Sequence, residues 1–259
     1  MNFFLAHKFP ILLVFSILPG LFLYSPPIDS ELDSSLILPF TQFQHPLGTD
    51  KLGRDVYSLY TYGLLVTILV AIPARIFTIL ISLIVSLLSM YLPRYLKIWV
   101  DSISSVFLSI PSILVALISI YIFGTEFWVF LLAIALSDWA QSYESLQGKI
   151  RDIQESGYVL VSQCMGASKM YIFRKHILPE LKNITYNLFL TGIPAVIMTI
   201  AIFSYLGIDF GADLFGPGLG EQISFSRDYA HVAITPMFVP ILGIILLVLS
   251  VQKRDIGKK

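Results

Sequence analysis

Side chains able to form covalent intermediates or hold a metal are few and scattered in these 259 residues: His7, His45, His176, His231 and a single cysteine, Cys164. One cysteine excludes an intrachain disulfide, and four separated histidines make neither a cysteine-rich metal site nor an HExxH pair. No GxSxG turn presents a serine nucleophile, and no Gly-rich phosphate loop is present, so the chain cannot bind and hydrolyse ATP by that route. What remains is three charges in or beside long apolar runs, Arg75, Asp101 and Asp138. A charge at membrane depth is costly and is kept for function, which makes Arg75 a candidate solute contact. The plainer reading, adopted here, is a cation that snorkels near the outer end of its run, beside the kink expected at Pro73. Asp101 and Asp138 fall near the ends of runs, where a carboxylate keeps its water; a proton relay would need them deeper. The expectation is a chain that performs no covalent chemistry, is not an enzyme, holds no metal and binds no cofactor.

The elements that position these charges follow from composition. Apolar residues make up 56% of the chain and charged ones only 13%, about half the charged share of a water-soluble domain. Six stretches approach the ~20 apolar residues that a helix needs to cross a hydrocarbon core of ~30 Å. They are Phe9 to Tyr24, Ile68 to Leu92, Ile103 to Phe123, Phe127 to Ala140, Tyr186 to Leu206 and Val232 to Val251. The first and fourth are short and lean on interfacial residues such as Phe3, Phe4 and Trp139. The first is read as a retained helix rather than a cleaved signal peptide, because no A-x-A-like site follows it. Ser82, Ser86 and Ser89 form a small-residue stripe suited to close helix packing. Pro111 between Ser109 and Ser112, and Gly192 with Pro194, mark kinks.

Lys and Arg fix the orientation. With the N-terminus inside, thirteen fall on the cytoplasmic side, including Arg94, Lys149, Lys169, Lys175, Lys253, Arg254, Lys258 and Lys259. Only Lys51, Arg54 and Arg227 fall outside, so both termini are expected in the cytoplasm. The net charge of zero suggests no nucleic-acid partner. From Gln141 to Thr185 runs a charged cytoplasmic stretch with apolar spacing at Ile150, Ile153, Gly157, Val161 and Cys164 or Met165. Its length predicts helices outside the bilayer that serve as a docking element. Two external loops, Ser25 to Tyr62 and Gly207 to Tyr229, are rich in turn residues; in the first, Asp50 and Asp55 are placed to cap following helices.

Three collinear segments carry a family resemblance. Gly157 to Pro179, in which Gly166 is followed twelve residues later by Leu178-Pro179, resembles the EAA loop of binding-protein-dependent ABC permeases. His45-Pro46-Leu47-Gly48-Thr49-Asp50-Lys51-Leu52-Gly53-Arg54-Asp55 is similar to the HPLGTDxLGRDV signature of the second permease subunit in dipeptide, oligopeptide and nickel importers. Phe203 to Gly207, with Gly218-Leu219-Gly220, resembles that subfamily's SFLGLG region.

The resemblance implies an all-α integral membrane protein with about six transmembrane helices and a cytoplasmic coupling loop, the type I importer permease fold. Residues 1–62 would form an N-terminal helix and external loop, and residues 63–259 a permease domain of five helices. It implies residence in a bacterial inner membrane beside lipid and three kinds of partner: a homologous permease subunit, cytoplasmic ABC ATPases that hydrolyse the ATP, and an extracytoplasmic solute-binding protein that docks on the external loops. Within the coupling loop, Gly157, Leu160, Val161, Ser162, Gly166, Ala167, Ser168, Tyr171, Leu178 and Pro179 match the motif. Gly166 would permit a turn between two short helices, Pro179 would begin or break the next segment, and Tyr171, Ile172 and Phe173 would offer an apolar face. Lys169, Arg174 and Lys175 fit either rim electrostatics at the ATPase or an ordinary positive-inside face. The chain departs from the family at Leu160-Val161-Ser162, where Glu-Ala-Ala is usual, at Phe215 to Gly220, which lacks the usual Trp, and in its tail from Arg254. The competing reading is a stand-alone secondary transporter or channel with Arg75 and the acidic residues lining its path.

Overall fold

The computed structural model describes residues 2–30, 32–208 and 215–251, with side chains from residue 9 onward. Gly211 and the basic tail residues Lys253, Arg254, Lys258 and Lys259 lie outside the described residues, as do the side chains of Phe3, Phe4 and His7. The described chain is helical, with no strand beyond two isolated bridges. Its helices are α1 (Asn2–Leu23), α2 (Val56–Ser89), α3 (Arg94–Ser109), α4 (Ser112–Phe123), α5 (Phe127–Gln154), α6 (Gly157–Cys164), α7 (Lys169–Ile172), α8 (Leu178–Tyr205), α9 (Leu219–Ser226) and α10 (Thr235–Val251).

By length and apolar content, α2 and the continuous helical stretch Lys169–Tyr205 can each cross a bilayer alone, and α3 with α4 makes a third crossing only if that bent pair is one span. Phe9–Leu23 and Thr235–Val251 are shorter apolar helices. The third stretch, Ile103 to Phe123, bends where a kink was expected at Pro111, and so sharply that two helices result. It breaks at Ile110-Pro111 with a 98° bend, because Pro111 has no N–H to continue the α3 ladder and Ile110 before it is extended at ψ 132. The fourth stretch also differs: α5 does not stop at Ala140 but runs unbroken to Gln154.

The chain divides into two compact units, residues 1–73 with 125–127 and 193–259, and residues 74–124 with 128–192. In the first, α10 packs on α1 and α9. Tyrosines at the start of α2 tie it to α1 and the residues after it. Tyr57 Oη donates to Ser16 O at 2.8 Å, Tyr62 Oη to Tyr24 O at 2.9 Å, and Tyr60 Oη pairs with Ser16 Oγ. The stretch expected as a turn-rich loop over Gly207 to Tyr229 is in its second half helical, α9 followed by a 3-10 turn. Gln222 of α9 donates to Leu59 O and Pro217 O, fixing α9 against α2.

In the second unit the serine stripe does what its small size suggests. Ser82 Oγ donates to Trp139 O, Ser89 Oγ meets Tyr143 Oη, and Ser86 O accepts from Gln147 Nε2, so α2 and α5 approach closely. Asp101 of α3 is held by the Tyr143 hydroxyl at 2.6 Å, and Ser104 donates to Glu144. These contacts make α5 the hub to which α2 and α3 are fastened.

Candidate functional site

The segment from Gly157 to Pro179 folds as a helical hairpin whose turn is dictated by its sequence. Helix α6 ends at Cys164, and Gly166 takes φ +82, with Gly166 N–H bonded to Gln163 O at 2.9 Å and Ala167 N–H to Ser162 O at 3.0 Å. That paired pattern is the Schellman stop, which satisfies two carbonyls of the ending helix and needs a residue free to adopt positive φ. A Cβ at Gly166 would meet nothing within 4 Å, so conformation rather than space selects glycine. Ser168 then caps α7, its Oγ accepting from Tyr171 N–H.

Between α7 and α8 the helix widens into a π-turn over Phe173–Ile177, immediately before Leu178-Pro179. A proline ring clashes with the carbonyl four residues back, and the wider turn relieves that clash so the helix continues through Pro179. Pro179 thus begins α8 without ending the helical run.

The hairpin sits on a core of Leu146, Ile150 and Ile153 from α5, Val159 from α6, and Ile172, Ile177 and Leu181. Apolar spacing held for Ile150 and Ile153 but not beyond, because the helix stops at Gln154 and α6 restarts at a new rotation. Val159 is buried, whereas Val161 is 60% exposed and Cys164 is exposed. The apolar face expected from Tyr171, Ile172 and Phe173 is likewise corrected: Ile172 is buried and Phe173 packs on that core, leaving Tyr171 outward. The hairpin's outward apolar surface consists of Leu160, Val161, Met165, Met170 and Tyr171. Leu160 stands exposed where the family resemblance places an acid. Gly157, Ser162, Ala167, Ser168, Leu178 and Pro179 form its frame.

The signature loop His45 to Asp55 lies in the other compact unit and is bonded mostly to itself. Asp50, 1% exposed, accepts at Oδ1 from Leu52 and Arg54 N–H and at Oδ2 from Arg54 Nε, so it closes a turn instead of capping a helix. Thr49 Oγ1 donates to Ser34 O and accepts from Ile37 N–H. Gly48 and Gly53 supply positive φ of 82 and 77, while Pro46 O and Gly48 O accept from Phe40 and Val56 N–H. Leu47 and Leu52 are half-buried.

Asp55 does cap α2, accepting from Ser58 N–H at 2.8 Å, and its other oxygen meets His45 Nδ1 at 3.0 Å. Burial pushes the Asp55 carboxyl above its ordinary value, against the pull of the Ser58 N–H and His45. Because burial already penalises the charged form, Asp55→Asn is expected to cost little, while Asp55→Ala loses the cap and about 1 kcal/mol. Thermal melting of the two variants in detergent checks this: equal losses would show that the cap bond is not what holds the helix start. The loop turns Phe40 and Phe43 outward, both largely exposed, and Arg54 lies 5.5 Å from the Phe225 ring centroid.

Arg75 is a correction to the sequence reading. It does not snorkel: its side chain is 3% exposed, its Nη1 is ion-paired with Asp138 Oδ2, and its Nη2 donates to Leu188 O. Gly192 makes room for it, since a Cβ there would overlap the guanidinium. Asp138 lies eleven residues into α5, about 16 Å along its axis at 1.5 Å per residue, where the apolar part of the helix gives way to the polar part that runs on to Gln154. The signal that pairs the two, one buried cation and one carboxylate in otherwise apolar runs, was present in the sequence; the contact between residues 63 positions apart was not.

Among the described residues no group of three His, Cys, Asp or Glu side chains is placed to hold a metal ion. Ser162 Oγ lies 3.4 Å from His176 Nε2 but donates its hydrogen to Tyr158 O at 2.8 Å.

Comparison with known proteins extends the picture. Residues 78–252 match the family described as binding-protein-dependent transport system inner membrane component. The oligopeptide transport system permease protein OppC of Bacillus subtilis is 27% identical over 66% of this chain and 56% of its own. The dipeptide transport system permease protein DppC of the same organism is 27% identical over 65% of this chain and 52% of its own, so the chain spans about half the length of these relatives. The glutathione transport system permease protein GsiD of Pectobacterium atrosepticum is 27% identical over 88% of this chain and 75% of its own. In fold, the chain resembles an inward-facing structure of the MetNI methionine ABC transporter, with a TM-score of 0.58 at 20% identity over 73% of this chain and 88% of that one. The family match covers well over half of the sequence, and its apolar helices suit a multi-pass membrane protein: the chain belongs to the binding-protein-dependent transport system inner membrane components.

Proposed function

We propose that this chain is the permease subunit of an ATP-driven ABC importer, forming with a homologous subunit a path for peptides or a similar small solute. The observation that carries the reading is the Gly166 hairpin, which holds a ridge of Leu160, Val161, Met165, Met170 and Tyr171 away from its own core. An apolar ridge on short rigid helices is what a cleft on a soluble ATPase can grip, and the hairpin's seat on α5 and α8 offers a stiff lever from that grip to the spans. The ATPases hydrolyse ATP, this subunit binds no nucleotide, and a solute-binding protein docks on the surface around Phe40, Phe43 and α9. In this reading both termini are cytoplasmic, residues 1–62 supply the first helix and external loop, and residues 63–259 the permease domain.

The test is capture of the ATPase from native membranes in mild detergent. Gly166→Pro fixes φ near −65° where +82 is needed, and its loss of the stop should cut capture more than tenfold while leaving the melting temperature of the spans within a few degrees. The buried Arg75–Asp138 pair gives one argument for a stand-alone transporter. If the purified wild type retains no ATPase yet moves solute in liposomes without ATP, that reading replaces the importer.

A further inference from the structure

The break between α3 and α4 leaves a cavity of about 330 Å³, within the size range of small-molecule sites, walled by Ser109, Ser112, Ser137, Asp138 and Gln141. Three of these five groups, Ser109, Ser137 and Asp138, offer acceptors, while Ser112 and Gln141 also carry donors. Ser109 Oγ spends its hydrogen on Ser105 O and Ser137 Oγ on Ile134 O, each at 2.8 Å, so both hydroxyls turn only lone pairs to the space. Helix α3 ends here, and the negative end of a helix dipole adds about half a charge of the same sign. Asp138 adds a carboxylate. Its Oδ2 is taken by Arg75, while its Oδ1 has no partner among the described residues, and the side chain keeps 19% exposure.

Resting on the importer reading above, we propose that this cavity is a contact site for the ammonium group of the transported solute, with Asp138 Oδ1 as its acceptor and Ser109 and Ser137 completing the cradle. The start of α4 at Ser112 carries the opposite half charge to the α3 end, so the two helix ends offset and the choice of a cation falls to the second Asp138 oxygen and the two serine lone pairs. Arg75 does not cancel the site, because it is engaged on the far oxygen and on Leu188 O. It leaves the pair neutral overall, so an ammonium is held weakly. A transport path needs that, since binding must be favourable enough for entry and loose enough for release.

The experiment is saturation-transfer NMR on the full chain in lipid nanodiscs with two probes, glycylglycine and N-acetylglycylglycine, in which a neutral acetamide replaces the ammonium. Glycylglycine is expected to bind at least tenfold more tightly than the acetylated probe, and Asp138→Asn is expected to erase the difference. Because the single variant strands Arg75, Arg75→Met with Asp138→Asn is made as well, and it should erase the difference in a stably folded chain. Equal binding of both probes by the wild type, binding of neither, or discrimination retained in the folded double variant overturns the proposal. ATPase capture is read on the same preparation: capture without discrimination sinks the ammonium site alone, and loss of capture in the wild type sinks the importer reading.

Discussion

Asp138→Leu, made alone, is expected to destabilise the chain by about 3–5 kcal/mol, because it leaves the Arg75 guanidinium buried without its counter-charge. Arg75→Met combined with Asp138→Leu should recover most of that loss, since a well-packed apolar pair in place of a buried ion pair is often neutral or better. Thermal denaturation of the single variants and the double in one detergent gives the coupling directly as a double-mutant cycle. A double variant that loses the sum of the two single losses would mean that the two side chains contribute independently, and the pair as described would be wrong. The geometry argues against that outcome: Arg75 is 3% exposed, its Nε has no hydrogen-bond partner among the described residues, and Gly192 blocks no part of its path only because it lacks a Cβ.

Gly220→Ala is the second large effect. A Cβ at this position would overlap the carbonyl group and Cα of Ala201, which are backbone atoms of α8 and cannot swing aside. Overpacking of that kind costs about 3 kcal/mol when relief requires moving a helix. Moving α9 would also pull Leu219 out of complete burial and draw Gln222 Nε2 away from Leu59 O, 2.7 Å distant. The expected result is a fall in melting temperature of several degrees together with faster hydrogen exchange across residues 219–226. Gly192→Ala is the informative contrast. The obstacle there is the far end of an arginine, so the chain should stay folded with Arg75 displaced. An unchanged melting temperature for Gly220→Ala would show that the α8–α9 approach is looser than described.

The Gly166 hairpin was legible because its constraints are local. A positive-φ glycine, a serine three residues before the N–H it caps, and a proline near a helix start act through neighbours within one or two turns, so Gly166, Ser168 and Pro179 declare themselves in sequence. Its exposed ridge was only partly legible. Which of Val159, Val161, Ile172 and Tyr171 faces the core depends on where α5 stops and at what rotation α6 and α7 restart, and the apolar period cannot carry phase across the breaks at Gln154 and Gly166. The signature loop divided in the same way. Asp55 reads as a helix cap, whereas the burial of Asp50 under Arg54 depends on the loop closing over it.

By itself, then, the sequence determined the solvent, the helical class and the family, because apolar run length and local turn chemistry need no long-range information. Tertiary structure alone decided that Arg75 is buried rather than snorkelled, that Asp138 lies deep in a long helix, and that the α3–α4 break opens a polar cavity beside it. Each of these depends on partners distant in the chain or on how far a helix continues past its apolar part. The cost of burying charge then explains why those distant residues meet: once Arg75 is buried among the helices, pairing with Asp138 gives its charge a partner there.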